Sequence, residues 1–82
     1  MTLITETNKL AEACERFSRD TFLAIDTEFM RERTYYPQLC LIQIAGNSDA
    51  VIVDALANEI NLNPILDLMA NQQITKVFHA CR

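Results

Sequence analysis

Two acids, Asp26 and Glu28, stand one residue apart in AIDTEF, directly after the apolar run from Phe22 to Ile25. On an extended strand, residues i and i+2 project from the same face, about 6.5–7 Å apart along the backbone. Two carboxylates held that close repel unless a proton or a cation lies between them. Mg²⁺ and Mn²⁺ favour oxygen ligands, and two such ions about 3.5–4 Å apart form a clamp for phosphodiester cleavage. One ion generates the attacking hydroxide and the other stabilises the leaving oxygen. On spacing alone, a DxE pair more often marks a solvated strand end. Two features set this pair apart: the strand before it is apolar on both faces, and the residues after it are unusually specific.

Other residues carry weaker chemical signals. Arg31, Arg33, Tyr35 and Tyr36 crowd one segment. Arginines hold phosphates and tyrosines stack on bases. The tyrosines fit a cover over the sheet edge better, whereas the arginines fit phosphate binding and pairing with Glu32 or solvent equally well. His79 and Cys81 alternate on one strand, but a zinc site needs four ligands and no second pair is present. Taken alone, His79 reads as a structural hydrogen-bonder. Gln43 is the polar residue of an otherwise apolar strand, placed either to satisfy a buried backbone group or to touch substrate. Asp54 ends a strand and reads as a turn cap. Glu12, Glu15, Arg16 and Arg19 form a solvated helix face.

The elements that must position these residues follow from periodicity. Leu10, Ala13, Cys14 and Phe17 recur at helical spacing, predicting a helix from about Thr7 to Ser18 with Thr7 as N-cap. TFLAIDTE is a strand with Leu23 and Ile25 on one face and Phe22 and Ala24 on the other. It is expected to be central and covered on both sides. Gln38 to Ala45 is a second strand, Gly46 to Asp49 a turn, and AVIVDA a third strand, forming a hairpin. Asn63 reads as an N-cap with Pro64 at the first helical position, and the helix runs through Ile65, Leu68 and Met69 to Asn71. Thr75 to Ala80 is the fourth strand. The helix between the third and fourth strands implies a parallel crossover. The first and fourth strands then lie side by side, bringing Asp26, Glu28 and His79 to the sheet edge where ligands gather in open α/β folds.

The chain has 82 residues, enough for one domain at most. A domain of this size buries only roughly 60% of its unfolded surface, so its core is marginal. Half of the residues are hydrophobic, a globular composition. The net charge of −4 excludes holding a nucleic acid by bulk electrostatics alone; metal ions or a further basic domain must supply the positive charge. The three cysteines, Cys14, Cys40 and Cys81, form no CxxC and suit a reducing compartment. No signal peptide and no membrane-spanning stretch is visible, so the expectation is a cytoplasmic protein with no membrane partner.

DTEFMRERTYYPQLCLIQIA closely resembles the first motif of ribonuclease D and its relatives, the 3′–5′ exonucleases of the DEDD superfamily with a ribonuclease H-like fold. KVFHACR, from Lys76 to Arg82, resembles the start of the family's second motif. The resemblance implies an α/β fold with a mixed sheet flanked by helices, truncated after the fourth strand. Residues 1–82 would be the N-terminal part of a single exonuclease domain, lacking the second-motif aspartate and the third motif. By the same resemblance, Asp26 and Glu28 are catalytic metal ligands for a Mg²⁺ or Mn²⁺ pair, Glu28 also positioning the attacking water. Thr27 and Phe29 fall where the family contacts the terminal nucleotide, and His79 lies near the substrate pocket.

The implied activity is that of the parent protein. It is a two-metal-dependent 3′–5′ exoribonuclease that trims RNA 3′ ends, tRNA precursors foremost, to nucleoside 5′-monophosphates, with no obligate protein partner. The 82-residue chain alone is expected to be inactive. Three other readings stand beside this one: a DNA proofreading-type exonuclease, a non-catalytic exonuclease-like nucleic-acid- or protein-binding module, and an α/β fragment that does not fold stably alone. The intact acid pair argues against the binding module, and YYP with LCLIQIA favours ribonuclease D over the proofreading enzymes.

Overall fold

A computed structural model describes residues 2–31 and 37–80, with the backbone alone described at 29–31, 37–39 and 80. Arg33, Tyr35, Tyr36 and Cys81 lie outside the described residues. The elements are β1 (Thr2–Ile4), α1 (Thr7–Phe17), β2 (Phe22–Arg31), β3 (Pro37–Ala45), β4 (Ala50–Asp54), α2 (Asn63–Ala70) and β5 (Thr75–Ala80). The strands form one mixed sheet in the order β1-β4-β3-β2-β5.

β2 and β3 pair antiparallel, as do β3 and β4, while β2 runs parallel to β5 and β1 parallel to β4. The expected hairpin and the side-by-side placement of the acid-bearing strand and the His79 strand are both present. The sheet has a fifth strand, β1, that periodicity did not reveal. Three residues are too few to display an alternation, and β1 exists because Thr2 to Ile4 pair in register with Val51 to Val53.

Alternation along the strands separates two faces. Leu23, Ile25, Ile44, Val51, Val53 and Ile4 are buried against Leu10, Ala13, Cys14 and Phe17 of α1 and Ile65 and Leu68 of α2. Both helices therefore sit on one side. The expectation that β2 is covered on both faces is not met among the described residues: Phe22 is 43% exposed, Val77 is 49% exposed, and Glu28 is exposed. Residues with even numbers on β2 and odd numbers on β3 and β5 share this open face.

The caps shift by one residue from the sequence reading. Glu6, not Thr7, holds the N-cap position of α1, with no side-chain cap. The Thr7 hydroxyl instead accepts the Asn61 N–H at 2.8 Å, tying α1 to the loop before α2. Leu62 precedes α2 as its N-cap residue, with Pro64 in the first turn. The Asn61 carboxamide oxygen accepts the Asn63 N–H at 2.8 Å. No helix among the described residues is long and apolar enough to cross a membrane.

Candidate active site

Asp26 and Glu28 lie within β2 rather than at its end. β2 runs on to Arg31 because it pairs with β3 as far as Pro37, with a register shift between Met30 and Arg31. The described parallel ladder to β5 pairs Asp26 with His79 and Thr27 with Ala80.

The register brings the site together. Asp26 is the direct partner of His79 on β5 and of Gln43 on β3. Gln43 is in turn level with Ile52 on β4. Cross-strand partners share a face, so Gln43, Asp26 and His79 form a row across three adjacent strands, with Glu28 one step along β2. Asp26 and Gln43 are half-buried; Glu28 and His79 are exposed. Thr27 points to the opposite face, level with Ile42 and Ala80, and is half-buried. Its side chain does not join the acid row, so any nucleotide contact at this position falls to its backbone. The backbone of Phe29 pairs with Cys40; its side chain lies outside the described residues.

Asp54 is level with Leu41, which is level with Glu28, so it sits on the same face but two strands away. Its carboxylate accepts the Leu56 N–H at 3.0 Å, which fulfils the turn-capping expectation. Glu15 and Arg19 pair on the outer face of α1, and Arg16 reaches Asp49 at 3.2 Å, also as expected of a solvated face.

No cluster of three or more His, Cys, Asp or Glu gathers among the described residues. The donor set on the open face is nevertheless oxygen-rich and anionic, which suits a hard divalent cation. Asp26 and Glu28 could supply two of the oxygen ligands of such a cation. No lysine or arginine side chain among the described residues occupies the open face to neutralise them.

Residues 1–82 match the family described as 3′–5′ exonuclease. The chain belongs to that exonuclease family. It is 52% identical over 82 residues to ribonuclease D of Nitrobacter hamburgensis, covering all of this chain and 22% of that protein. Among solved structures, it is similar to Escherichia coli RNase D, with 38% identity, a TM-score of 0.78, and coverage of 94% of this chain and 20% of that one. Trypanosoma brucei RNase D in complex with RNA U12 shares the fold at a TM-score of 0.73 and 21% identity, over 98% of this chain and 30% of that one. The resemblance to ribonuclease D drawn from the motifs therefore holds across the chain. The mixed sheet with its helices matches these exonuclease-family folds. The chain spans about a fifth of the length of the curated relatives it matches.

Sequence reasoning missed two placements. Gln43 was noticed as a polar residue without its partner, because its pairing with Asp26 depends on hairpin register. Lys76 enters the sequence reading only as the first residue of KVFHACR, with no role of its own. Its ammonium donates to the Met69 carbonyl at 2.9 Å and to the Asn71 carbonyl, clamping the C-terminal end of α2 to the strand that carries His79. A lysine entering a strand just after a helix was the available signal, since cations favour helix C-termini.

Proposed function

We propose that this chain is the acid-pair portion of a ribonuclease D-type exonuclease domain, and that the parent protein removes nucleotides from RNA 3′ ends. The observation that carries the reading is the row Gln43, Asp26 and His79 with Glu28 beside it, on the open face of a sheet whose sequence relatives are ribonucleases D. Asp26 and Glu28 hold Mg²⁺ or Mn²⁺, together with further acids of the parent. A divalent cation bound there lowers the pKa of a water ligand and offsets charge building on the phosphate oxygens. Glu28, exposed on the same face, orients the attacking water. Thr27, through its backbone, and Phe29 contact the terminal nucleotide, and His79 borders the same pocket. Products are nucleoside 5′-monophosphates.

The substrate class follows from the relatives. Escherichia coli RNase D is described as an exoribonuclease involved in structured RNA processing, and the Trypanosoma brucei fold neighbour was solved with RNA. We assign structured RNA 3′ ends, tRNA precursors foremost, to the parent. The cytoplasm is the compartment that suits the free Cys14 and Cys40. Residues 1–82 form part of one exonuclease domain, and this stretch alone releases no nucleotide because two acids do not complete a two-metal site.

The test uses the full-length protein encoded by the gene, with RNA and DNA oligonucleotides of matched sequence labelled at the 5′ end. Stepwise shortening of RNA with Mn²⁺, abolished by Asp26→Asn and by Glu28→Gln, is the expected result. Preferential shortening of DNA would favour a proofreading-type enzyme. Retention of activity in Asp26→Asn would overturn the reading.

A further inference from the structure

We propose that Leu56 is a substrate-binding residue: on the turn after β4 it packs against the base of a nucleotide upstream of the terminal one, and so seats the RNA 3′ end at the acid pair. The proposal rests on the reading of Asp26 and Glu28 as the catalytic acids, and the experiment separates the two.

The first argument is placement. β2 and β4 each pair antiparallel with β3, so they run in the same direction. The C-terminal end of β4 therefore lies at the same sheet edge as Glu28. Glu28, Leu41 and Asp54 form one level across β2, β3 and β4. One residue further, Phe29 pairs with Cys40, whose carbonyl accepts the Ala55 N–H at 2.8 Å. Leu56 follows directly, so its turn opens level with a residue assigned to the terminal nucleotide. Neighbouring strands lie about 4.8 Å apart, which puts β4 about 10 Å from the acid strand. An RNA strand whose terminal phosphodiester sits at Glu28 carries its upstream bases across such a distance.

The second argument is rigidity combined with exposure. The Asp54 carboxylate accepts the Leu56 N–H at 3.0 Å, and the Asp54 carbonyl accepts the Ala57 N–H at 3.2 Å. The Ala57 carbonyl in turn accepts the Ile60 N–H at 3.2 Å. The consecutive N–H groups of Ala55, Leu56 and Ala57 are thus all engaged, yet Leu56 is 55% exposed. Exposed leucines are ordinary on a protein surface. Among the described residues, however, the other large exposed hydrophobics lie within strands or α2, and Leu56 is the one carried on a turn. A contact on a backbone already fixed loses little freedom on binding, which favours affinity.

The third argument is charge. Asp54 puts a carboxylate beside Leu56, and the segment from Asp54 to Leu62 holds no lysine or arginine. A phosphate is repelled here, whereas the uncharged face of a base is not. Every nucleobase presents such a face, so the contact tolerates any sequence.

The experiment follows shortening of 5′-labelled RNA by the full-length protein with Mn²⁺, alongside the thermal midpoint. Leu56→Ala should raise KM about 3- to 10-fold, the effect of losing a partly buried leucine side chain, and change kcat less. Leu56→Met keeps the apolar volume and should stay close to the unaltered protein. The decisive readout is coupling to the substrate, using RNAs with a single abasic nucleotide at successive positions upstream of the 3′ end. At one position, loss of the base should raise KM for the unaltered protein and leave KM for Leu56→Ala where it was. An unchanged KM in Leu56→Ala, or abasic penalties that add to its own at every position, would overturn the proposal. So would a large loss of stability in Leu56→Ala and Leu56→Met alike, which would make Leu56 a covered core residue of the parent. If the unaltered protein shortens no RNA, or Asp26→Asn shortens it equally well, the acid-pair reading falls and this proposal with it. Normal shortening with no effect at Leu56 brings down the proposal alone.

Discussion

Asp26 and His79 are direct partners in the parallel ladder between β2 and β5, although a hairpin and a helix separate them in the chain. Both stand on the sheet face that α1 and α2 leave open, Asp26 half-buried and His79 exposed. An exposed imidazole next to a half-buried acid is placed to meet what binds at the acid. His79→Ala in the full-length protein should raise KM for RNA about 5- to 20-fold while changing kcat less, because a typical hydrogen bond to a charged partner contributes about 1.5–3 kcal/mol at most. Steady-state kinetics on a short single-stranded RNA check this. A fall in kcat with KM unchanged would instead place His79 in the chemical step.

Lys76 should be important for stability out of proportion to its position at a sheet edge. Its ammonium serves two carbonyls at the end of α2, Met69 and Asn71, where the helix dipole is negative. Lys76→Met keeps the aliphatic stem and deletes the donor. The expected cost is about 1–3 kcal/mol in a denaturant titration, since two carbonyls lose a charged partner. Lys76→Arg should lose less, because the positive charge remains near the helix end.

Cys14 predicts a pH dependence. Burial, reinforced by the negative charge of Asp67, pushes its thiol up from an ordinary 9.0 to about 11. The neutral thiol is thus favoured in the folded state, and the unfolded chain releases its proton first as pH rises. The resulting stability is fully present below pH 9, declines between about 9 and 11, and is gone above that range. A thiol-reactive reagent at pH 8 should modify Cys14 only at the rate at which the protein opens. Cys14→Ala should remove this contribution to the decline of thermal midpoint between pH 9 and 11.

Much of this arrangement was legible in the sequence, and the boundary of legibility has physical causes. Leu10, Ala13, Cys14 and Phe17 announced α1 because one helix face is buried, and that burial is what spacing encodes. The pairing of the Asp26 strand with the His79 strand followed from the helix between the third and fourth expected strands, which requires a crossover. Three features were not legible. β1 is too short to show a period. The extension of β2 to Arg31 depends on its partner β3, not on its own residues. Whether this stretch itself covers both faces of β2 is not encoded in its alternation, because apolar residues such as Phe22 and Ala24 look the same whether or not something covers them. The caps slipped by one residue at both helices: the Thr7 hydroxyl accepts the Asn61 N–H from the loop before α2, and at α2 the Asn61 carboxamide oxygen accepts the N–H of Asn63, the residue expected to be the cap.

Gly46 should tolerate no side chain. A Cβ there would collide with the Asp20 carboxylate and stand 3.0 Å from the Phe17 ring. Asp20 cannot simply swing away, because it accepts the Asn47 N–H at 3.0 Å and so holds the β3–β4 turn, while the Gly46 N–H bonds the Asp49 carbonyl at 2.9 Å. Gly46→Ala should destabilise by about 1–3 kcal/mol, the usual cost of overpacking. If the collision with Asp20 is the cause, Asp20→Ala combined with Gly46→Ala should cost less than the sum of the two single changes.

Two apolar residues on the helices offer the sharpest contrast between a face that packs and a face that does not. Phe17 ends α1 with 1% of its surface exposed, in contact range of the strand residues that fill the core; Leu66 on α2 is 61% exposed. Hydropathy alone ranks them together, yet their physical situations differ. Removing the Phe17 ring leaves a cavity beneath the sheet, so Phe17→Ala should cost about 3–5 kcal/mol. Leu66→Ser changes little beyond helix propensity and should cost about 0.5 kcal/mol or less. Chemical denaturation of both variants checks the pair. A cost at Leu66 approaching that at Phe17 would mean that another part of the full-length protein covers the outer face of α2. A small cost at Phe17 would contradict the helix packing described for the face behind Asp26 and Glu28.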